Sequence, residues 1–532
     1  MVAPSRVMSG LGSSPGPGPT RAAVVAALPP TRSAVATPAA VEGEARAELN
    51  SSAPILPPRH RTRRYPWAPM TADSLTVLSG DDAPIRALVL APAGGRRSDA
   101  PPRLSLQSVP RPRVPAPGWV LVRPALAGIA SADLALLSQD HGPAPVGPRQ
   151  PLPMVPGAEV VGIVEAANGT RWAREGHRVL VEPNAGCMIR GFASCARCAA
   201  GDSELCENRD RQSPLGPAAD GGVAAGGGWS EGVLAHEEML VPADGISDQR
   251  GVLGVALASA IHAVLRWPRR GDRVAVIGSG TTTRLVVAAL RRLHPDVEIT
   301  VVVDARGPRR SSRRKRRLPS RMAIDERTIA VALEDLGAAR VWRGTPEQII
   351  DNAGDVLQAR RLIQAGSSLP VLDRGLDAVF DCRGTTSSVS LGLRLLRSGG
   401  CLIIAGRAGR IELDWSAVWA RELTILGTSG FGREPAGWRT FAAVREWLTD
   451  QSFPADSLVT HRYPLDAYQT AIQTAAAGEA AGAIKVVFED PSSPLRLRRL
   501  TAEEDVSADD MRVPVLMAGT AARVRHDDEA AV

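Results

Sequence analysis

Four of the six cysteines, Cys187, Cys195, Cys198 and Cys206, fall within the segment CMIRGFASCARCAAGDSELC. The spacing C-x7-C-x2-C-x7-C puts a tight pair at a knuckle and one thiolate on each flank, which lets four sulfurs reach one tetrahedral zinc ion. Four protein ligands leave no open position, so the expected role is structural: one Zn2+ per chain. Six cysteines in 532 residues, four of them clustered, point to metal binding in a reducing compartment rather than to a disulfide framework. Cys382 and Cys401 read as core thiols.

A second chemistry is written in VAVIGSGTTTRLVVAAL, where a buried strand turns into a helix through Gly278 and Gly280. Bare backbone there can approach a pyrophosphate held at the helix N-terminus, with Thr283 at the third position of the G-x-G-x-x-G pattern. Asp304 follows at the end of the next strand, placed to accept hydrogen bonds from the adenosine ribose, which favours NAD. Immediately downstream, RGPRRSSRRKRRLPSR carries nine basic residues from Arg306 to Arg321 and no acid. Arg306, Arg309 and Arg310 could accept the 2′-phosphate of NADP, so the choice between NAD and NADP stays open. A solvated loop, a localisation signal and a nucleic-acid patch are the other readings of that run, and nucleic acid ranks last among them.

The elements that must position these groups fall into two textures. IRALVLAP, GWVLVRPALAG, EVVGIVEAA and HRVLVEP are short, Val-rich and separated by Pro and Gly, as in a small barrel-like β lobe. From about residue 271 strands alternate with helical stretches: VAVIGSG, TTTRLVVAALRRL, EITVVVD, ERTIAVALEDLG, GLDAVFDCRG, SVSLGLRLLRSGG and CLIIAGRAG. That alternation predicts a parallel doubly wound sheet, hence an α/β protein. The ends differ from both. Residues 1–84 are rich in Pro, Ala, Ser and Arg with no acid before Glu42, and residues 491–532 have no period, so both are expected to be disordered tails, the first with features of a transit peptide.

Composition narrows the classes further. Apolar residues make up 44% and charged residues 22%, and no apolar run reaches the length of a membrane span. The net charge of +7 rests on arginine, since Lys315 and Lys485 are the two lysines. With abundant Ala, Gly and Pro, that bias reads as a GC-rich coding preference rather than as a selected surface.

Across residues 86–490 the chain resembles the medium-chain dehydrogenase/reductase superfamily of zinc-type alcohol and polyol dehydrogenases. The motifs GIASADL, PGAEVVGIV, the cysteine segment, GGGWSE, VIGSGTTTRL, DAVFDCRG, RELTILGTSGFG and GAIKVVF occur in that family's order. The resemblance implies a GroES-like catalytic lobe over 85–255 with a structural zinc loop at 187–206. It further implies a Rossmann cofactor lobe over 256–430 and a C-terminal return to the first lobe over 431–490. It also implies an NAD(P)-dependent oxidoreductase, cytoplasmic unless the N-terminus targets an organelle, acting on a small molecule, with no membrane partner, as a homodimer or homotetramer. Arg383 and Gly384 match the nicotinamide side of the site, and Lys485 matches a basic residue that binds pyrophosphate in relatives.

The departures from that pattern lie in the cleft. The family's cysteine ligand, relay hydroxyl, relay histidine and histidine ligand are matched by Ala130, Ala132, Ala135 and Ala158. Four alanines neither bind a cation nor move a proton. Asp133 and Glu159, which in relatives flank the metal and orient its ligands, are retained and are the candidate catalytic residues. His141, Glu182, His236 and His262 lie in the same half without ligand spacing. The expectation is hydride transfer in a cleft without catalytic zinc; the alternative is a non-catalytic dinucleotide-binding protein.

Overall fold

The computed structural model describes residues 83–92, 102–137, 152–304, 332–363, 369–409, 411–434 and 437–489. His141, Arg306 and the rest of the basic run, and both expected tails apart from residues 83 and 84, lie outside the described residues.

The N-terminal lobe is built from short strands whose β-branched residues alternate between two faces. Strands β1 (Ile85–Ala91) and β2 (Arg103–Val109) form an antiparallel pair. Then follow β3 (Trp119–Gly128), β4 (Val160–Ala167), β5 (Arg178–Val181), β6 (Val233–His236) and β7 (Leu240–Pro242). Strand β3 pairs antiparallel with both β4 and β6, and β4 continues through β5 to β7. Inside, Val120, Val122, Val160, Val164, Val179 and Val181 make one apolar cluster.

The second lobe carries β8 (Arg273–Ile277), β9 (Glu298–Asp304), β10 (Arg340–Gly344), the short pair β11 (Arg361–Leu362) and β12 (Val371–Leu372), and β13 (Leu376–Asp381), β14 (Leu396–Ile404) and β15 (Thr424–Gly427). Six of these form an all-parallel sheet in the order β10-β9-β8-β13-β14-β15. In order of appearance that is 3-2-1-4-5-6, the doubly wound arrangement that leaves a crevice at the carboxyl edge between β8 and β13, where the strand order reverses. The two-residue period sorts the core: Val274, Val276 and Phe380 join a cluster on one face with the helices Gly254–Arg266 and Thr281–Leu293. Ala275, Ile277 and Val379 join Ile349, Ile350 and Val389 from the helices Pro346–Leu357 and Thr386–Leu395 on the other.

The chain then returns. The helix Thr440–Thr449 packs Phe441, Val444 and Leu448 into the cluster beneath the second lobe. Strands β16 (Val459–Tyr463) and β17 (Lys485–Glu489) enter the first lobe's sheet, β17 pairing antiparallel with β3. Among the described residues no helix is long and apolar enough to cross a membrane.

Candidate functional site

In the knuckle, the four cysteine Sγ atoms lie within 4.8 Å of one another, and Cys187 and Cys206 approach to 3.4 Å. Sulfurs sharing a tetrahedral zinc at about 2.3 Å lie roughly 3.8 Å apart, so the donor set fits the ion. Local structure makes the site. Cys195 caps the short helix Ala196–Ala200, taking the Cys198 N–H at 3.4 Å, and Gly201, at φ 92°, turns the chain back toward Cys206. The Cys187 N–H donates to Cys198 Sγ, and Asn208 Nδ2 donates to Cys187 Sγ at 3.2 Å. Backbone donation from Cys198 and Glu207 brings the Cys195 thiol down to about 6, while burial pushes Cys198 up to about 12. A divalent cation offsets that burial cost by stabilising the thiolates.

In the cleft, Gly128 closes β3 and the backbone runs into the short helix Ser131–Leu137. A side chain at Gly128 would meet Glu159 Oε2 at 1.9 Å, so glycine makes the space for that carboxylate. Glu159 pairs with Lys485 Nζ, and both are about 4% exposed. Lys485, matched above to a pyrophosphate ligand, is therefore placed on Glu159. Asp133 is buried and accepts the Ala130 N–H at 2.8 Å. Its carboxyl is pushed up to about 7, mainly by burial, with the Ala130 N–H opposing and the Glu159 charge adding. Ala132 and Ala158, the residues next to these two acids in the chain, are exposed.

The remaining polar candidates are dispersed. His262 Nδ1 meets Glu434 at 3.0 Å, Glu182 pairs with Arg439, and His236 lies edge-on to Trp119. Among the described residues, the four cysteines are the one group of three or more His, Cys, Asp or Glu side chains whose ligand atoms converge.

At the glycine turn after β8, Gly278 has φ 135°, and a Cβ there would strike Thr283 Oγ1 at 2.5 Å. Gly280 caps the helix Thr281–Leu293, with nothing within 4 Å of where its Cβ would stand. The N-terminus of a thirteen-residue helix thus faces open space, the arrangement that a pyrophosphate requires. Thr281 Oγ1 donates to the Ile484 carbonyl at 2.7 Å, tying the helix to the returning chain. Asp304 ends β9, its backbone in register with Gly344.

Across the crevice, Asp381 ends β13 fully buried and accepts the N–H groups of Arg383 and Gly384 and the Ser388 hydroxyl at 2.9 to 3.1 Å. Burial pushes its carboxyl up to about 6. These bonds fix the Arg383–Gly384 turn. Gly384 has φ 67°, and a Cβ there would lie 2.4 Å from the Arg407 carbonyl. The Arg407 guanidinium reaches the other lobe and donates to the Ala132 carbonyl at 2.9 Å. Sequence reasoning missed Arg407 and Asp381; a cation in the glycine-bearing GRAG segment that follows a core strand was the available signal for the first.

Two outcomes follow from this geometry. Metal analysis should find zinc at the knuckle, and stripping it, or Cys198→Ser, should lower the melting temperature by roughly 5–10 °C in thermal unfolding. Between about pH 4 and pH 7 folded Asp133 holds a proton that the unfolded chain has released. Stability should therefore fall as pH rises through that window, by up to about 1.4 kcal/mol per unit. Denaturant titrations of Asp133→Asn should show that slope flattened, with the variant relatively more stable at pH 8.

Residues 116–245 match the alcohol dehydrogenase GroES-like domain. An L-threonine 3-dehydrogenase from Saccharopolyspora erythraea is 25% identical over 381 residues, covering 71% of this chain and 94% of the relative. D-arabinitol dehydrogenase 1 from Uromyces fabae is 24% identical, covering 60% and 78%. Two solved structures share the fold: 2R,3R-butanediol dehydrogenase from Bacillus subtilis (TM-score 0.53, 21% identity, 76% of this chain and 99% of that one), and a zinc-binding dehydrogenase from Sinorhizobium meliloti bound to NADP (TM-score 0.54, 23% identity, 77% and 100%). With its strand order, its cysteine knuckle and its glycine turn, the chain carries an alcohol dehydrogenase GroES-like domain and is similar to dehydrogenases over most of its described length.

Proposed function

We propose that this protein is an NAD(P)-dependent oxidoreductase that transfers hydride in the cleft between its lobes without a catalytic zinc. The observation that carries this reading is the cleft's donor set. Alanine stands at 130, 132 and 158, and the two retained acids are buried and already engaged, Glu159 by Lys485 and Asp133 by the Ala130 N–H. A cation polarising an alcohol or carbonyl oxygen needs several converging ligands, and these residues do not supply them.

The dinucleotide supplies the hydride when bound. The protein's own residues bind, orient and exclude water. Gly278 and Gly280 let the backbone approach the pyrophosphate, with Thr283 packed beneath the turn. The Arg383–Gly384 turn, held by Asp381, forms the nicotinamide side, and Arg407 spans to Ala132 and sets the separation of the lobes. Asp133, titrating near neutrality, can hold a proton at the cleft floor. Substrates whose reduction depends on orientation and one hydrogen-bond donor, such as quinones and activated double bonds, suit this arrangement better than the threonine and polyols named for the relatives.

A homodimer belongs to the same reading. Among the described residues strand β15 is one of the two edges of the parallel sheet, and the segment leading into it exposes Trp415 and Trp419 at 59% and 86%. Two such edges related by a twofold axis satisfy each other's backbone and cover the tryptophans.

Cofactor absorbance followed against quinones, enones, aldehydes and polyols should show turnover with the first two classes, lost in Gly280→Asp. Binding without turnover on every class would favour the non-catalytic alternative. About one zinc per chain is expected, and two would overturn the reading of the cleft. Light scattering should give a dimer that Trp419→Glu dissociates; an unchanged mass would overturn that interface.

A further inference from the structure

Arg407 is mounted firmly on one wall of the cleft. It follows β14, whose carboxyl end lies beside that of β13, and the N–H groups of Ala405 and Gly406 both donate to the Asp381 carbonyl, at 2.9 and 2.7 Å. A Cβ at Gly406 would lie 2.4 Å from the Cys382 carbonyl carbon, and one at Gly384 would lie 2.4 Å from the Arg407 carbonyl oxygen. Two glycines therefore let this segment close directly on the Arg383–Gly384 turn. From there the side chain crosses to the other lobe, where Nη1 donates to the Ala132 carbonyl at 2.9 Å. Ala132 stands in the first turn of the helix Ser131–Leu137, one residue before Asp133.

Charge at this place is left unbalanced. Glu159 and Lys485 cancel one another, and burial favours the neutral form of Asp133. Among the described residues the Arg407 side chain makes that single bond, to a neutral acceptor, and no carboxylate pairs with it. A guanidinium carries five N–H donors in a planar fork, and the bond to Ala132 uses one. The residue is part-exposed, so the remaining donors are open to a ligand. Such a fork matches a carboxylate bidentately, and charge-assisted hydrogen bonds of that kind are roughly twice as strong as neutral ones.

We propose that Arg407 is a specificity-determining residue of the cleft and that it selects substrates carrying a carboxylate, which takes the remaining N–H groups of the guanidinium. This rests on the reading of the cleft as a hydride-transfer site, and it narrows the acceptors named above to acidic enones and quinones. Because the Arg407 backbone is fixed, the spacing between the carboxylate and the reacting double bond is selected as well. A neutral acceptor of the same size leaves the fork on Ala132 alone.

The test compares acid and amide forms of one acceptor: enones with a carboxylate at increasing distance from the carbonyl, each paired with its carboxamide, assayed with NADH and NADPH on the full chain. At the best-fitting length the wild type should favour the acid in kcat/KM by about 10–30-fold, mainly through KM. Arg407→Met should bring that ratio to about 1, Arg407→Lys should keep part of it, and Arg407→Glu should invert it. Loosened lobes would slow acid and amide together and leave the ratio as it was, so a folded Arg407→Met that keeps the wild-type ratio overturns the proposal. A wild type that shows no preference for the acid at any length overturns it too, and that measurement decides the matter if Arg407→Met fails to melt as a folded protein. Calorimetry with the same acids and amides reads binding without turnover. Binding of an acid that depends on Arg407, with no turnover of any acceptor, would uphold the anchor and overturn the oxidoreductase reading.

Discussion

The buried contact between Glu159 and Lys485 joins residues 326 positions apart, and much of the architecture is arranged so that it forms. Lys485 opens β17, the strand by which the chain re-enters the first lobe after building the second, and Glu159 immediately precedes β4. Strand β3 lies between them in the sheet, and its last residue, Gly128, gives up a side chain to the carboxylate. Neither charge reaches solvent, so removal of one partner would strand the other at a cost of about 3–5 kcal/mol. The pair therefore locks the C-terminal return in register, and through Thr281 and the Ile484 carbonyl it also locks the approach of the helix Thr281–Leu293 to the first lobe.

The same economy of buried charge recurs with arginine. Arg250, 1% exposed, donates to the carbonyls of Leu448 and Asp450 and pairs with Asp456. Arg190 gathers carbonyls of residues 208, 209 and 211 around the zinc knuckle, and Arg178 bonds the Ala243 and Ile246 carbonyls. A planar fork with five donors satisfies several carbonyls at once, which an ammonium does less well. The arginine bias reads from composition as a coding preference. In the folded chain, arginines also close loops and bind elements together.

Much of the fold was legible because it depends on local order. Val-rich strands, the glycine turn at 278–280 and the change of period near residue 271 are short-range signals, and they mark the two lobes and the edge where the crevice opens. The cysteine spacing was legible for the same reason, since three closely spaced segments of chain bring the sulfurs together. Arg407 and Asp381 were not legible as site residues. Each acquires its meaning from a partner on another element, and a lone Arg or Asp at a strand or helix end carries no mark of that partner.

By itself the sequence determined the α/β architecture, the clustered cysteines Cys187, Cys195, Cys198 and Cys206, and the alanines at 130 and 158, because residue type and spacing along the chain suffice for each. The tertiary structure decided that Lys485 pairs with Glu159, that burial lifts Asp133 toward neutrality, and that Asp381 holds the Arg383–Gly384 turn. Those outcomes depend on desolvation and on distances between elements far apart in the chain, and neither exists until the lobes have closed on one another.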